Sequence, residues 1–269
     1  MPNNIHPTAI VSPKAELAGC EVGAYAVITE DVKIGEGTVI HHHSTVTGHT
    51  TIGRHNQIFP YAAIGFPPQD LTYKNDPTQL VIGDHNIIRE FTTINIGTVK
   101  GGGITTIGHH NFIMAYSHIA HDCILEDYII MANGIQLGGH CKVEKYVGFG
   151  GLVGVHHFVT IGQYSFVGGL TRIIHDVPPF MIVEGHPARV RAVNTIGLER
   201  RNFSSQTIKA IKDAYKLIWR SDYTPSQALK ILEKRYAEIP EINTLVQSLR
   251  QTEKGKQGRA REALRHTPA

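Results

Sequence analysis

Aliphatic residues recur at every sixth position from Val22 through Ile28, Ile34, Ile40, Val46, Ile52 and Ile58 to Ile64. A longer run does the same: Ile107, Ile113, Ile119, Leu125, Met131, Leu137, Val143, Phe149, Val155, Ile161, Val167 and Ile173. Between them, Ile82, Ile88 and Ile94 keep the spacing. Glycine often follows the aliphatic residue, as at Gly23, Gly53 and Gly138, and four positions after it stands something small or β-branched, as at Ala26, Thr38 and Ser117. A period of six suits neither an amphipathic helix nor a half-buried strand, whose periods are 3.6 and 2. It suits a short strand plus a turn repeated along a solenoid, three hexads to a roughly triangular coil. Residues 18 apart then stack at the inter-strand spacing of ~4.8 Å, with the aliphatic side chains pointing inward. The fold class is therefore mainly β, a parallel β-helix.

The rhythm breaks twice, near 66–80 and 97–103, where prolines, Asp70, Asn75, Asp76 and the run Gly101-Gly102-Gly103 supply turn chemistry. Insertions in a solenoid become loops on a rigid scaffold, a common place for binding residues. Val177-Pro178-Pro179 should end the ladder, because proline cannot donate to it. This predicts a β-helix over 1–187 and an α-helical C-terminal part over 188–269, poorly ordered from about 252. Ser204 and Ser205 cap a helix carrying Ile208, Ile211, Tyr215 and Ile218. Thr224-Pro225 opens a second with Leu229, Leu232 and Tyr236, and Pro240 a third with Ile242, Leu245 and Leu249.

Composition changes this picture little. The chain has 269 residues, enough for a large core, and only 7% aromatics, which suits a small turn repeated many times. The start carries no basic and apolar leader and no run of 18 apolar residues occurs, so a cytoplasmic enzyme with no membrane span is expected. Cys20, Cys123 and Cys141 form no CxxC and read as reduced packing residues. Charge matters more. The stretch from Met1 to Arg189 has 10 Lys and Arg against 15 Asp and Glu, and the remainder has 16 against 8. The basic C-terminal part is a candidate dock for something acidic, and without arginine–aromatic interleaving or a recognition motif nucleic acid is not expected.

Of 17 histidines several fall in the longer run, among them His118, His121, His140, His156 and His157. Positions 121, 139 and 157 differ by 18, so His121, Gly139 and His157 should share one edge of the prism. Two chemistries compete there. A metal site needs neutral imidazoles converging at about 2.0 to 2.1 Å; His118, His121 and His140 would form it, as in a hexapeptide-repeat carbonic anhydrase. General-base catalysis needs one imidazole oriented by a carboxylate beside backbone donors for an oxyanion. His121 followed by Asp122, with Gly139 one coil away, has that form. His41, His42, His43, His109 and His110 read as surface residues on polar turns.

Several strings carry a resemblance: Gln69-Asp70-Leu71, Ile88-Arg89-Glu90, Thr93-Ile94-Asn95, His118-Ile119-Ala120-His121-Asp122-Cys123, Gly138-Gly139-His140, Asp176-Val177-Pro178-Pro179 and Gly197-Leu198-Glu199-Arg200-Arg201. Together they resemble the acyl-carrier-protein:UDP-N-acetylglucosamine O-acyltransferases that begin lipid A synthesis. The resemblance implies a left-handed coil, which the general preference for right-handed crossovers does not predict. It implies transfer of an (R)-3-hydroxyacyl group from acyl carrier protein to the 3-hydroxyl of UDP-GlcNAc, with no metal and no cofactor beyond the carrier's phosphopantetheine. It further implies a homotrimer with active sites between prisms. His121 would be the base, Asp122 its partner and the Gly139 amide the oxyanion donor. Substrate contacts would fall at Gln69, Asp70, Asn95, His118, His140, His157, Gly169, Asn194, Arg200 and Arg201, with Gly169 flooring the acyl groove. Arg200, Arg201, Lys212, Lys216 and Arg220 would dock the acidic carrier. Thr72, Asn95, His157, Pro187 and Ile196 depart from the enterobacterial pattern, and Lys74 is expected to reach the place vacated at Thr72. An N-acyltransferase of the same pathway ranks lower, because it carries an extra N-terminal domain and repeats here start at Ile5.

Overall fold

The computed structural model describes residues 2–255 and Gly258. Each hexad gives a short strand whose inner residue is buried, as in His118–Ile119, Gln136–Leu137 and Gly154–Val155. Successive strands go in turn to three sheets of eleven, nine and eight strands, the faces of a prism. Ile119 pairs in parallel with Leu137, Leu137 with Val155, and Val155 with Ile173, each step 18 residues. These side chains are at most 3% exposed and stack as the core of the rod. The first coil is one residue short, since Ile5 pairs with Val22.

The coil turns at most corners through a residue with φ near +60°, a region that favours glycine. Here rings commonly occupy it and stack from coil to coil. Tyr61, Phe91 and Tyr116 form one column at 5.0–5.1 Å, nearly parallel. His85, His110, Tyr128 and Tyr146 form a second at 4.8–4.9 Å. His43, stacked on Tyr61, and His110 thus belong to ring ladders as well as to surface turns. Stacking offsets part of the backbone cost at each corner. Cys20, Cys123 and Cys141 are buried free thiols.

Both insertions leave the ladder in phase. Gln57 pairs with Ile87, 30 residues on, and Ile87 with Phe112, 25 on, so the surplus over 18 is thrown outward. The end of the rod differs from expectation. Beyond Val177-Pro178-Pro179 the chain adds Met181–Glu184, parallel to Phe166–Val167. It turns at Gly185 (φ +98°) and returns as Arg189–Val193, antiparallel to Met181–Glu184. The helical part therefore begins near Asn194 and not at 188, because Val190 and Ala192 alternate with Arg189 and Arg191 at strand periodicity.

Four helices follow: α1 Thr195–Arg200, α2 Ser205–Trp219, α3 Pro225–Arg235 and α4 Pro240–Glu253. Ser204 caps α2, and Thr224 with Gln227 forms a capping box on α3. A second core of Phe180, Met181, Leu198, Ile211, Leu232 and Leu245, among others, fixes the helices to the last coil. The tail expected to be poorly ordered lies mostly outside the described residues. No helix among the described residues is long and apolar enough to cross a membrane.

Candidate active site

His121 and Asp122 form a corner turn between strand His118–Ile119 of the nine-stranded sheet and strand Ile124–Leu125 of the eight-stranded sheet. Asp122 is the turn residue with φ +59°, which points its side chain back along the corner toward the imidazole. His121 Nδ1 lies 2.7 Å from Asp122 Oδ2. Burial opposes the Asp122 charge, but hydrogen bonds from His121 and Thr98 outweigh it and hold the carboxyl below its usual range. A carboxylate only accepts, so Nδ1 is the donor in this pair, and Nε2 has no partner among the described residues.

The second loop supplies the rest of that grip. Thr98 donates from its backbone N–H to Asp122 Oδ1 at 2.8 Å and from Oγ1 to Oδ2 at 2.6 Å. Thr105 Oγ1 accepts from the Asp122 N–H at 2.8 Å. A Cβ on Gly101 would come within 2.0 Å of the carboxylate carbon, so only glycine lets the loop close on it. Thr98 and Gly101 were missed in the sequence, where the glycine run at 101–103 was the available signal. Since the Asp122 carboxyl is held below its ordinary 3.8, its charge stabilises the fold above about pH 4 and ceases to do so as pH falls through the depressed folded-state value. The stability gap between the protein and Asp122→Asn, read by urea unfolding, is expected to be largest near neutrality and to shrink below about pH 4. A gap constant with pH would contradict a charged, paired Asp122.

Gly139 lies against the ring as the 18-residue offset predicts: an added Cβ would sit 2.6 Å from His121 Cε1 and 2.8 Å from Nε2. The neighbouring amides of Gly138 and His140 donate to Val155 and His121 carbonyls. The Gly139 N–H has no acceptor among the described residues, although its carbonyl accepts from Phe158. His140 stacks on Phe158 at 4.3 Å and meets His121 edge-on at 5.0 Å. His118 Nδ1 is 2.7 Å from Thr93 Oγ1, and burial, then the neighbouring His121, push its imidazole below the ordinary value. His118 is accordingly neutral at neutral pH.

A cleft of about 550 Å³ opens at this corner, lined by Gln69, His118, His121, Gly139, Gly154, His156 and Arg172 among others. Asp70 is held in charged form by hydrogen bonds from Thr72, with the charges of His121 and Lys100 adding to them. The cation beside Thr72 is Lys100, its Nζ 3.3 Å from Thr72 Oγ1, and not Lys74. Both loops thus converge there. The metal set His118, His121 and His140 is not what the chain assembles. The donors gathered within 4.8 Å of one another are those of His121, Asp122 and His140, and both Asp122 oxygens already accept hydrogen bonds.

Comparison with known proteins adds the family. Residues 176–257 match the family described as UDP N-acetylglucosamine O-acyltransferase, domain 2, and residues 18–48 match the bacterial transferase hexapeptide repeats. The acyl-[acyl-carrier-protein]–UDP-N-acetylglucosamine O-acyltransferase of Thiobacillus denitrificans is 46% identical over 252 residues, 93% of this chain and 98% of that one. The chain belongs to the UDP-N-acetylglucosamine O-acyltransferase family. The crystal structure of the Moraxella catarrhalis UDP-N-acetylglucosamine O-acyltransferase superposes with a TM-score of 0.89 at 41% identity, covering 94% of this chain and 98% of that one. The Francisella novicida UDP-N-acetylglucosamine acyltransferase gives 0.88 at 38%, with 90% of each chain covered. With the family goes its fold, a left-handed parallel β-helix with C-terminal helices, and its class of activity, acyl transfer.

Within this acyltransferase chain the expected substrate residues divide. Gln69, Asp70, His118 and His140 gather around His121. Asn95 is buried, with Nδ2 donating to the Phe66 and Pro67 carbonyls and so fixing the first loop, while its Oδ1 has no partner among the described residues. His156, and not its neighbour His157, lines the cleft. Gly169 lies at another corner, between strands Phe166–Val167 and Arg172–Ile173. Asn194, Arg200 and Arg201 line a separate cavity of about 900 Å³ against the eleven-stranded sheet, with Tyr146, Tyr164 and Ile196. Asn194 also caps α1, and the Arg201 guanidinium lies 4.6 Å over Tyr146. The expected docking residues divide too. Arg200 and Arg201 border that cavity, whereas Lys212, Lys216 and Arg220 run along α2 and its C-cap, Arg220 lining another cavity beside Arg189 and Arg191.

Proposed function

We propose that this chain transfers an (R)-3-hydroxyacyl group from acyl carrier protein to the 3-hydroxyl of UDP-GlcNAc, the first step of lipid A biosynthesis. The observation that carries this reading is the Asp122–His121 pair set against an unpartnered Gly139 amide, in a chain of this family. His121 Nε2 takes the proton from the sugar hydroxyl as that oxygen attacks the thioester carbonyl. Asp122 stabilises the imidazolium that forms. The carbonyl oxygen gains charge, and the Gly139 N–H donates to it. Collapse of the tetrahedral adduct breaks the C–S bond, and the thiol leaves with the proton held by His121. No metal and no cofactor enters, because the acyl group arrives on the carrier's phosphopantetheine.

Gln69 and His118 line the cleft with His121, and Asp70 lies close enough to feel its charge, which supports a role for the three in orienting the sugar nucleotide. Asn194, Arg200 and Arg201 belong to the same site only if a second copy brings its eleven-stranded face to this corner, which supports a homotrimer with sites between prisms. The enzyme would act in the cytoplasm, where its carrier-borne donor is made. Incubation with UDP-GlcNAc and 3-hydroxyacyl carrier protein is expected to release holo-carrier and acylated sugar nucleotide, with the active species sedimenting as a trimer. No acyl transfer to the sugar oxygen would refute the reading, and a fully active monomer would refute the shared site.

A further inference from the structure

The faces of the prism differ in what they offer a neighbour. The eight-stranded face carries the ion pairs Lys33–Glu16 at 2.9 Å and Lys142–Glu126 at 3.2 Å, a charged surface suited to water. The eleven-stranded face exposes Ile87, Ile130 and Phe166. The edge it shares with the nine-stranded face exposes Tyr25, Tyr61, Phe91, Tyr116, Leu152 and Leu170, each 44–78% accessible in the single chain. A continuous apolar stripe of this kind marks a surface that another molecule covers. In the proposed trimer the eleven-stranded face of one copy reaches the His121 corner of the next, and with the eight-stranded face solvated it packs on the nine-stranded face. The edge common to those two faces then points at the threefold axis, where three copies of each residue on it meet.

The turn His41-His42-His43 interrupts that stripe with polar groups. Elsewhere on the edge the charged pair Arg89 and Glu90 neutralises itself at 2.9 Å. His43 is held between Tyr25 and Tyr61, both ring centroids 5.1 Å away. His42 Nδ1 lies 2.9 Å from His43 Nδ1. With His42 as the donor in that bond, its Nε2 keeps a lone pair, and that atom has no partner among the described residues. One coil to either side, the His42 position is taken by Ala24 and Pro60, whose side chains offer it no hydrogen bond. A hydrogen bond at the far ring nitrogen, fixing tautomer and orientation, is what metal-ligating histidines have. Within one chain, the donors gathered for a metal among the described residues are those of His121, Asp122 and His140, so a site at His42 is incomplete without two further copies.

We infer that the three His42 imidazoles of the trimer hold one divalent transition-metal ion of the zinc class on the threefold axis, each ring oriented by its own His43. The inference rests on the trimer proposed above. Neutral nitrogen donors select zinc and similar ions over magnesium and calcium, which take oxygen. Three imidazoles at about 2.0 to 2.1 Å leave the fourth position to solvent. Without an ion, each ring would lose water in an apolar interface with no partner for Nε2, a cost that coordination removes. The ion is structural and takes no part in acyl transfer: the coil of His42 lies three steps from the coil of His121, roughly 14 Å along the rod.

The test uses the full-length, untagged protein stripped with a chelator. Added zinc is expected to bind at one ion per three chains and to raise the unfolding temperature, with sedimentation as a trimer and kcat unchanged. His42→Gln should abolish that ion. His43→Phe, which keeps the ring ladder but not the hydrogen bond, should weaken zinc binding by about 10- to 100-fold. Both variants should keep the unmodified kcat. A trimer that takes up no zinc, zinc fully retained in His42→Gln, or one ion per chain lost on that substitution would overturn the inference. So would zinc binding lost in His121→Ala and kept in His42→Gln, which would place the ion at the reacting corner. An active monomer would refute the shared assembly and the site with it. A trimer inactive on UDP-GlcNAc would refute the function alone, and the zinc titration would still decide the site.

Discussion

Replacing His121 with alanine is expected to lower kcat by about 10²- to 10⁴-fold, the usual range for loss of a general base. The prediction is specific because His121 has one free ring nitrogen. Asp122 fixes Nδ1 at 2.7 Å, and the open side of the ring faces the cleft. KM for UDP-GlcNAc should change little, since Gln69 and His118 line the same cleft independently. The side chain is partly solvent-exposed and not a core member, so thermal unfolding should move little. Steady-state release of holo-carrier measures the first quantity and calorimetry the second. An unchanged kcat would remove His121 from the mechanism.

The second large effect is expected from a single methyl group. Gly139→Ala keeps the backbone N–H proposed to receive the oxyanion but places a Cβ 2.6 Å from Cε1 and 2.8 Å from Nε2 of His121. The ring can retreat only by straining its bond to Asp122, which Thr98 holds by two further bonds. Displacement of a reacting group by about 1 Å can cost on the order of 10²-fold, so kcat should drop by at least that, with the fold intact. The check is single-turnover acyl transfer together with the histidine Nδ1 proton resonance of the Asp122 pair. A normal rate with that resonance unmoved would show that the amide and imidazole do not share a target.

Much of this was legible because the coil turns sequence spacing into spatial neighbours. An offset of 18 sufficed to put Gly139 on His121, and an aspartate next to a corner histidine sufficed to suggest the pair. Other features do not follow that rule. Thr98 and Gly101 reach Asp122 from an insertion whose length, not its phase, decides where it lands. Lys100 rather than Lys74 reaches Thr72 for the same reason. The place of Asn95 in a motif suggests a ligand, but it does not reveal that the Nδ2 of this buried residue also ties down the first loop through two backbone carbonyls. In the strand Arg189–Val193 the first four residues alternate basic and apolar, but the prolines before it suggest that the ladder has ended and so mask the signal. The separation of Arg200 and Arg201 from His121 follows from their being on different faces, which a single chain's periodicity leaves open.

The two outward insertions show how this architecture handles extra length. Surplus residues are expelled sideways and pairing resumes in phase. Axial distance along the rod is therefore quantised: it changes by whole coils of about 4.8 Å or not at all. A descendant enzyme could change the separation of two sites on one face of the rod only in such increments, so that separation would shift in discrete jumps rather than drift.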